Sequence, residues 1–340
     1  MTTKNKGYKA LRDAEGFFVQ QLSSDKTVTE YIKSRNISGD MLNLFKIGYA
    51  PKGLSLLTKA TSTPPPELFN YGLSRKNDNG IKQYRATFQD RLVFPIYDNE
   101  DRVCGFGGRR LSENKDIPKY LNSPESEYFD KSQILFSVPG EPIGDHTVLV
   151  EGYMDVVSLT QTGVSGVRAP MGTALTDNQA KQIASKAKRV TLMYDGDPAG
   201  RKASYRSLQL LLEAGMRYDA IHVFALPAGE DPDSWCVNQI TESANAAIMR
   251  APDSISWLIQ QFPIKQVALQ QKIQVAERFM KWVDNAKTDK ERHRLIEAVS
   301  RYLSIDASRL NEWYLSQKKT VPNEVKTETG KTQPAATLAL

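Results

Sequence analysis

Between Thr147 and Leu226 the chain alternates short apolar runs with segments of helical spacing: strand, helix, strand, helix, strand, helix, strand. Thr147-Val-Leu-Val150, Val190-Thr-Leu-Met-Tyr194 and Ile221-His-Val-Phe-Ala-Leu226 read as strands. Helices are predicted after Gly152, Leu175 and Gly200. Thr176-Asp-Asn-Gln179 has the form of a capping box, and Gly215 follows Leu210-Leu-Leu-Glu-Ala214 as a helix stop. Such alternation predicts a parallel sheet covered by helices on both faces.

The apolar runs end in acids. Glu151-Gly152 closes the first, Asp195-Gly-Asp197 another, and Pro227-Ala-Gly-Glu-Asp-Pro-Asp233 the last. The carboxyl ends of parallel strands are where ligands sit, so Glu151, Asp195, Asp197, Asp231 and Asp233 are expected at one edge. Asp155 lies one helical turn beyond Glu151 and is a supporting acid. Crowded carboxylates raise one another's pKa unless a cation neutralises them, and hard oxygen ligands suit Mg2+ or Mn2+. Such clusters serve phosphoryl transfer. For any single Asp, ordinary turn chemistry is the competing explanation; recurrence at successive strand ends favours a site.

The 340 residues allow two or three domains. A net charge of +6 favours a polyanionic partner without requiring one. No stretch has the length and apolarity of a membrane span, and the polar start is no signal peptide. Cys104 and Cys236 are the only cysteines, which makes a reducing cytoplasm the default. His146, His222 and His293 are isolated, so no zinc site is expected.

Upstream, the first 70 residues look mainly helical, and Thr61-Ser-Thr-Pro-Pro-Pro66 marks a loop. Arg91-Leu-Val-Phe-Pro-Ile-Tyr97 and Arg102-Val-Cys-Gly-Phe-Gly107 form a hairpin around Asp98-Asn-Glu-Asp101. Pro95 argues for an edge or a bulge. Gly105-Phe-Gly-Gly108 is no dinucleotide fingerprint; a tight turn, a bulge or close approach to nucleic acid remain open. Segment 75–131 carries nearly as many acids as Lys and Arg, as a solvated surface would. Past residue 239 the pattern is helical, with Ile273, Ala276, Met280 and Val283 on one face and Leu295, Val299 and Leu303 on another. Asp306 caps a last helix through Trp313, and Lys318 onward reads as a disordered tail. Trp257, Trp282 and Trp313 are expected in a helical core.

Glu151-Gly-Tyr-Met-Asp-Val-Val157, Tyr194-Asp-Gly-Asp-Pro-Ala-Gly200 and Gly229-Glu-Asp-Pro-Asp233 resemble the Toprim motifs of bacterial and phage DnaG-type primases. Phe45-Lys-Ile-Gly-Tyr-Ala-Pro51, Arg91-Leu-Val-Phe-Pro-Ile96, Gly105-Phe-Gly-Gly-Arg109 and Pro118-Lys-Tyr-Leu-Asn-Ser-Pro124 are similar to motifs that precede Toprim in the primase RNA-polymerase domain. The resemblance implies an α+β N-terminal subdomain (1–143), an α/β Toprim domain (144–238), a C-terminal helical bundle (239–317) and a tail (318–340). It implies an enzyme that builds short RNA primers on single-stranded DNA from ribonucleoside triphosphates, with Mg2+ or Mn2+ and no zinc. Carried over by position, Glu151, Asp195 and Asp197 would be catalytic, and these with Asp231 and Asp233 would hold metal. Arg109, Lys119, Tyr120, Asn122 and Lys131 would track template and primer. Metal ions can acidify a 3′-hydroxyl and neutralise a departing pyrophosphate, while cations interleaved with aromatics suit a single strand.

Family members usually begin with a zinc ribbon and end with a helicase-docking or helicase domain; neither is expected within these residues. A replicative helicase or a zinc-bearing partner in trans is the corresponding expectation, in a bacterial cell or an infected bacterial host. A Toprim nuclease and a non-catalytic DNA-binding accessory protein are the alternatives.

Overall fold

A computed structural model describes residues 3–77, 84–114, 116–172, 174–237, 241–261, 276–277, 279 and 282–319. The chain divides into two compact units, Met1–Gln261 and Phe262–Leu340.

The first unit begins with helices α1 (Thr3–Gln21), α2 (Lys26–Ser34) and α3 (Gly39–Leu44), followed by strand β1 (Gly48–Ala50). Ala10, Leu11, Ala14, Phe17 and Phe18 are buried along α1, which gives that helix one apolar face. Asp25 and Ser38 cap α2 and α3 by accepting from the backbone N–H of Thr27 and Met41. Next come α4 (Ser55–Thr61) and α5 (Pro65–Asn70). The expected loop is present but short: residues 62–64 join the two helices, and the ends of the stretch belong to them. Ser62 turns left-handed at φ 50° to end α4, and Pro65 opens α5, where a missing N–H costs nothing.

A small ribbon, β2 (Ser74–Lys76) with β3 (Tyr84–Ala86), precedes the hairpin β4 (Arg91–Tyr97) and β5 (Val103–Arg110). With β6 (Tyr120–Asn122) these build an antiparallel sheet of order β1-β4-β5-β6. Pro95 lies in an internal strand, not an edge. The short β1 pairs only Arg91–Val93, so Pro95 meets no strand on that side, and the register shifts one residue later. Asp98 closes the hairpin by accepting from the N–H groups of Glu100 and Arg102.

The second sheet contains β7 (His146–Leu149), β8 (Val167–Arg168), β9 (Arg189–Leu192) and β10 (Ile221–Val223), all parallel, in the order β10-β9-β7-β8. Helices α6 (Tyr153–Gln161), α7 (Asp177–Lys186) and α8 (Pro198–Glu213) connect them. The capping box is present: Thr176 Oγ1 accepts from Gln179 N–H at 3.2 Å, and Gln179 Oε1 accepts from Thr176 N–H at 3.0 Å. Gly215 stands just past α8 at φ 102°. The last strand is shorter than its apolar run, because chain pairing with β9 stops after Phe224 N–H reaches Leu192 O.

One buried cluster joins both sheets: Leu92, Phe94 and Ile96 of β4 with Val148, Val150, Tyr153, Val156 and Val157. Burying each such side chain stabilises by roughly 1.5–3 kcal/mol. Beyond β10 come α9 (Pro232–Cys236), α10 (Thr241–Met249) and α11 (Ser254–Gln260). Residues 251–258, expected in a separate bundle, pack on the parallel-sheet layer. Val223 N–H donates to Pro252 O, and buried Trp257 meets Tyr205 of α8 at 4.7 Å between ring centroids.

Gly105, Gly107 and Gly108 make neither a turn nor a nucleic-acid cradle. They lie inside β5, where a Cβ would meet Phe129, Tyr153 and Phe88 respectively. Aromatic rings fill the space the missing side chains leave.

In the second unit, a helix spans Asp289–Leu303, with Thr288 and Glu291 forming its capping box. Leu295, Val299 and Leu303 are buried along it as the stripe implies. Another helix spans Ala307–Lys319, capped by Asp306 and longer than the expected end at Trp313; it takes in the first residues assigned to a tail. Ala276 and Val283 are buried. Ile273, Met280 and the tail from residue 320 lie outside the described residues.

Candidate active site

The chain passes from β7 to β8 on one side, then crosses back to β9 on the other. The switch point therefore lies between β7 and β9, where a doubly wound sheet opens a crevice. Glu151 and Asp195 are the residues just past those two strands. Asp195 N–H donates to Glu151 Oε1 at 3.3 Å. Steric limits explain the glycines beside them. A Cβ on Gly196 would lie 1.9 Å from Pro227 O, and one on Gly200 2.1 Å from Asp195 O. Both neighbours are backbone, so neither can move aside cheaply.

The other acids are tied to helix starts. Asp197 Oδ1 accepts from Gly200 N–H at 2.7 Å and caps α8. Asp231 Oδ1 accepts from Ser234 N–H at 2.7 Å and caps α9. Asp155 Oδ2 accepts from Gly152 N–H at 2.8 Å, fixing the turn that carries Glu151. Asp233 has both oxygens engaged: Ser158 Oγ donates to one, and Arg35 Nη1 donates to the other at 3.3 Å.

Glu151, Asp155, Asp195, Asp231 and Asp233 line a cleft of about 320 Å³. Arg35, Arg109, Lys119 and Tyr120 line it too. Burial raises the Glu151 carboxyl pKa, and Asp195 adds to it. Burial likewise raises Asp195, reinforced by Asp231 and Asp197 and opposed by Lys119. Asp155, only 8 % exposed, is pushed well above the usual carboxylate range by desolvation, against the pull of the Gly152 N–H. Among the described residues no three His, Cys, Asp or Glu side chains close into a metal cage. Five of the six expected acids do share this cleft; Asp197 caps α8 and is not among its lining residues.

The cationic side is layered with rings. The Arg109 guanidinium lies 5.2 Å from the Tyr31 ring and 5.4 Å from that of Tyr120, and Arg109 Nη1 donates to Tyr120 Oη at 2.5 Å. Lys119 Nζ lies 5.8 Å from the Tyr120 ring and is exposed. Asn122 is not in the cleft lining. Its Nδ2 donates to Met171 O and its Oδ1 accepts from Tyr153 Oη, so it braces the site from behind. Lys131 is exposed and outside the cleft lining; its carbonyl accepts from Gln179.

Sequence reasoning missed Arg35, Tyr31 and Tyr153. Tyr153 sits two residues past Glu151 and could have been found by proximity. Arg35 and Tyr31 share a face of α2 by their i, i+4 spacing, but nothing local links them to acids more than a hundred residues away.

Residues 148–236 match the family described as Toprim-like, and residues 17–140 the N-terminal domain of the DNA primase catalytic core. The first match defines the class of the parallel-sheet domain and its acids. The DNA primase of Aquifex aeolicus is 40% identical over 238 residues, covering 68% of this chain and 46% of that protein. The DNA primase of Clostridium acetobutylicum is 35% identical over 252 residues, 72% of this chain and 40% of that one. The crystal structure of the zinc-binding and RNA-polymerase domains of the Aquifex aeolicus primase superposes with a TM-score of 0.76 at 32% identity, covering 91% of this chain and 75% of that one. The DnaG primase catalytic domain bound to single-stranded DNA superposes at 0.77 with 28% identity, over 90% of this chain and 99% of that one. The chain belongs to the DnaG-type primase catalytic-core family. It spans less than half the length of those two curated primases.

Proposed function

We propose that this chain synthesises short RNA primers on single-stranded DNA by metal-dependent nucleotidyl transfer. The observation that carries this reading is the cleft at the sheet switch point, lined by carboxylates together with cations that sit against tyrosine rings. Its donor set fits a divalent ion. Glu151 and Asp195 are hard oxygen donors whose pKa values are raised by burial and by neighbouring carboxylates, so a cation would relieve both. Mg2+ needs only one or two carboxylates when water and substrate phosphates complete its shell, which suits a cleft without a full cage. When bound, such an ion acidifies a 3′-hydroxyl and neutralises charge on the leaving pyrophosphate.

Glu151 and Asp195 would hold the ion, with Asp231 and Asp233 at its margin. Asp197 and Asp155 act through the backbone, keeping α8 and the Gly152 turn where the other acids need them. Lys119 and Arg109 would take backbone phosphates, and the Tyr120 ring offers a stacking face beside them. Residues 1–143 would bear the template and 144–238 the chemistry, with the helix at Ser254–Gln260 packed on the parallel-sheet layer. Lys131 would meet nucleic acid only beyond the cleft. Mg2+ or Mn2+, ribonucleoside triphosphates and a bacterial cytoplasmic setting follow from this reading, with a helicase or zinc-bearing protein as further partner. No helix among the described residues is long and apolar enough to cross a membrane.

The test is incubation with single-stranded DNA, labelled ribonucleotides and Mg2+ or Mn2+. New labelled oligoribonucleotides are expected. Shortened DNA instead would make the cleft a nuclease, and neither product would leave a DNA-binding role.

A further inference from the structure

We propose that Arg35 is a built-in counter-charge that occupies Asp233 and so lowers the cleft's affinity for a divalent cation. The inference rests on the metal-dependent reading of the cleft. Asp233 is the acid there whose two oxygens are both engaged by side chains, one by Ser158 and one by Arg35. For Asp233 to join a metal shell, the Arg35 contact must open. The ion then competes with a fixed cation for the same carboxylate, and the two positive charges also repel.

The arm that carries Arg35 is placed by the same helix that holds Asp233. Arg35 follows the last turn of α2. The next residues, Asn36 to Ser38, are clamped by Gln161 at the end of α6. Gln161 Nε2 donates to Asn36 O at 2.8 Å, and its Oε1 accepts from Ser38 N–H at 2.8 Å. One turn earlier on α6, Ser158 holds Asp233. Helix α6 is thus a rigid bar with Asp155 at its start, Ser158 in its middle and Gln161 at its end. Asn36 itself is left-handed at φ 54°, so the bend that aims Arg35 is set by the backbone as well. Arg35 also lies 5.7 Å from the Tyr31 ring, whose other neighbour is Arg109. Stacking on Tyr31 ties the Arg35 arm to the cationic wall.

Arg35 is on this account a positioning residue, and the readout is metal affinity rather than turnover. Mn2+ binding is measured by calorimetry or by electron paramagnetic resonance of free Mn2+. Arg35→Gln should bind Mn2+ on the order of five-fold more tightly than wild type, the weight of a partly exposed ion pair. Arg35→Lys keeps the charge and should stay near wild type. In an Asp233→Asn background, Arg35→Gln should give a clearly smaller gain, since the pair is already gone and only the repulsion between Arg35 and the ion remains. Gln161→Ala alters no charge but loosens the arm, and should tighten Mn2+ in the same direction by a smaller factor. An Arg35→Gln affinity equal to or weaker than wild type overturns the proposal. So does an equal gain in the Asp233→Asn background, which would mark a diffuse field rather than a pair. Wild type that binds no Mn2+ would instead overturn the metal reading of the cleft, and this inference with it. Should Arg35→Gln fail to fold, Gln161→Ala decides alone: no change in Mn2+ affinity overturns the proposal.

Discussion

Replacing Gly107 with Ala tests whether the two sheets share one rigid core beneath the cleft. A Cβ at Gly107 would stand 2.3 Å from Tyr153 Cζ and 2.6 Å from its Oη. The ring cannot swing away. It stacks on Phe94 at 5.3 Å with planes 15° apart, meets Phe136 edge-on at 4.7 Å, and donates from its hydroxyl to Asn122 Oδ1 at 2.7 Å. The strand cannot retreat either, because Gly107 pairs with Phe94 on one side and Asn122 on the other. The same two residues that hold the ring hold the strand. Overpacking of this kind costs about 1–3 kcal/mol, and losing the Tyr153–Asn122 hydrogen bond adds about 1 kcal/mol. A total near 3 kcal/mol lowers the melting temperature by roughly 6 °C in a domain of this size. Calorimetric melting of Gly107→Ala, Tyr153→Leu and the double variant measures it. The double variant should recover at least about 1 kcal/mol relative to the sum of the singles, because the smaller side chain clears the clash. A single variant that melts like wild type, or strictly additive losses, would refute the shared-core explanation of this glycine.

Asp195→Asn should reduce primer synthesis by about 100-fold or more while melting no lower than wild type in metal-free buffer. The sign follows from the raised pKa: burial and like charge make ionised Asp195 costly above its unfolded pKa, and the neutral amide avoids that cost. Added Mn2+ should raise the wild-type melting temperature and barely move that of Asp195→Asn. Lys119→Ala should weaken single-stranded DNA binding and make its salt slope shallower by about one, with melting unchanged. Arg109→Ala should weaken binding too but also lower the melting temperature, since Arg109 is only 6 % exposed and packs on two tyrosines. His146, pushed down to about 4 by burial, Arg189 and His222, is neutral when folded. Its contribution is complete above about pH 6.5 and is lost as pH falls toward 4, a loss of about 1 kcal/mol after solvent screening. His146→Gln should flatten the melting-temperature profile between those limits; an unchanged profile would exclude His146 as its source.

Much of the architecture was legible because it is written in local periodicity. Apolar runs, the Thr176–Gln179 box and Gly215 each specify a strand, a helix start and a helix stop through interactions within a few residues. The acids at the strand ends were legible for the same reason, since the strand's end and the ligand edge of a parallel sheet coincide. Their individual tasks were not. Asp155, Asp197 and Asp231 look alike in sequence to Glu151 and Asp195, yet each accepts a backbone N–H and serves a helix start. The strand through the glycines of β5 was legible but their purpose was not, because it lies in Phe129, Tyr153 and Phe88, distant in the chain.

Sequence alone therefore determined the order of elements, the parallel α/β domain and the edge at which its acids gather, since these depend on spacing along one segment. Tertiary structure decided which acids face the cleft, that Arg35 reaches Asp233 across nearly two hundred residues, and that two sheets share a core. Such contacts form only when distant segments exclude water from the same space. A carboxylate's role follows from which donor reaches it first, and no local pattern records that.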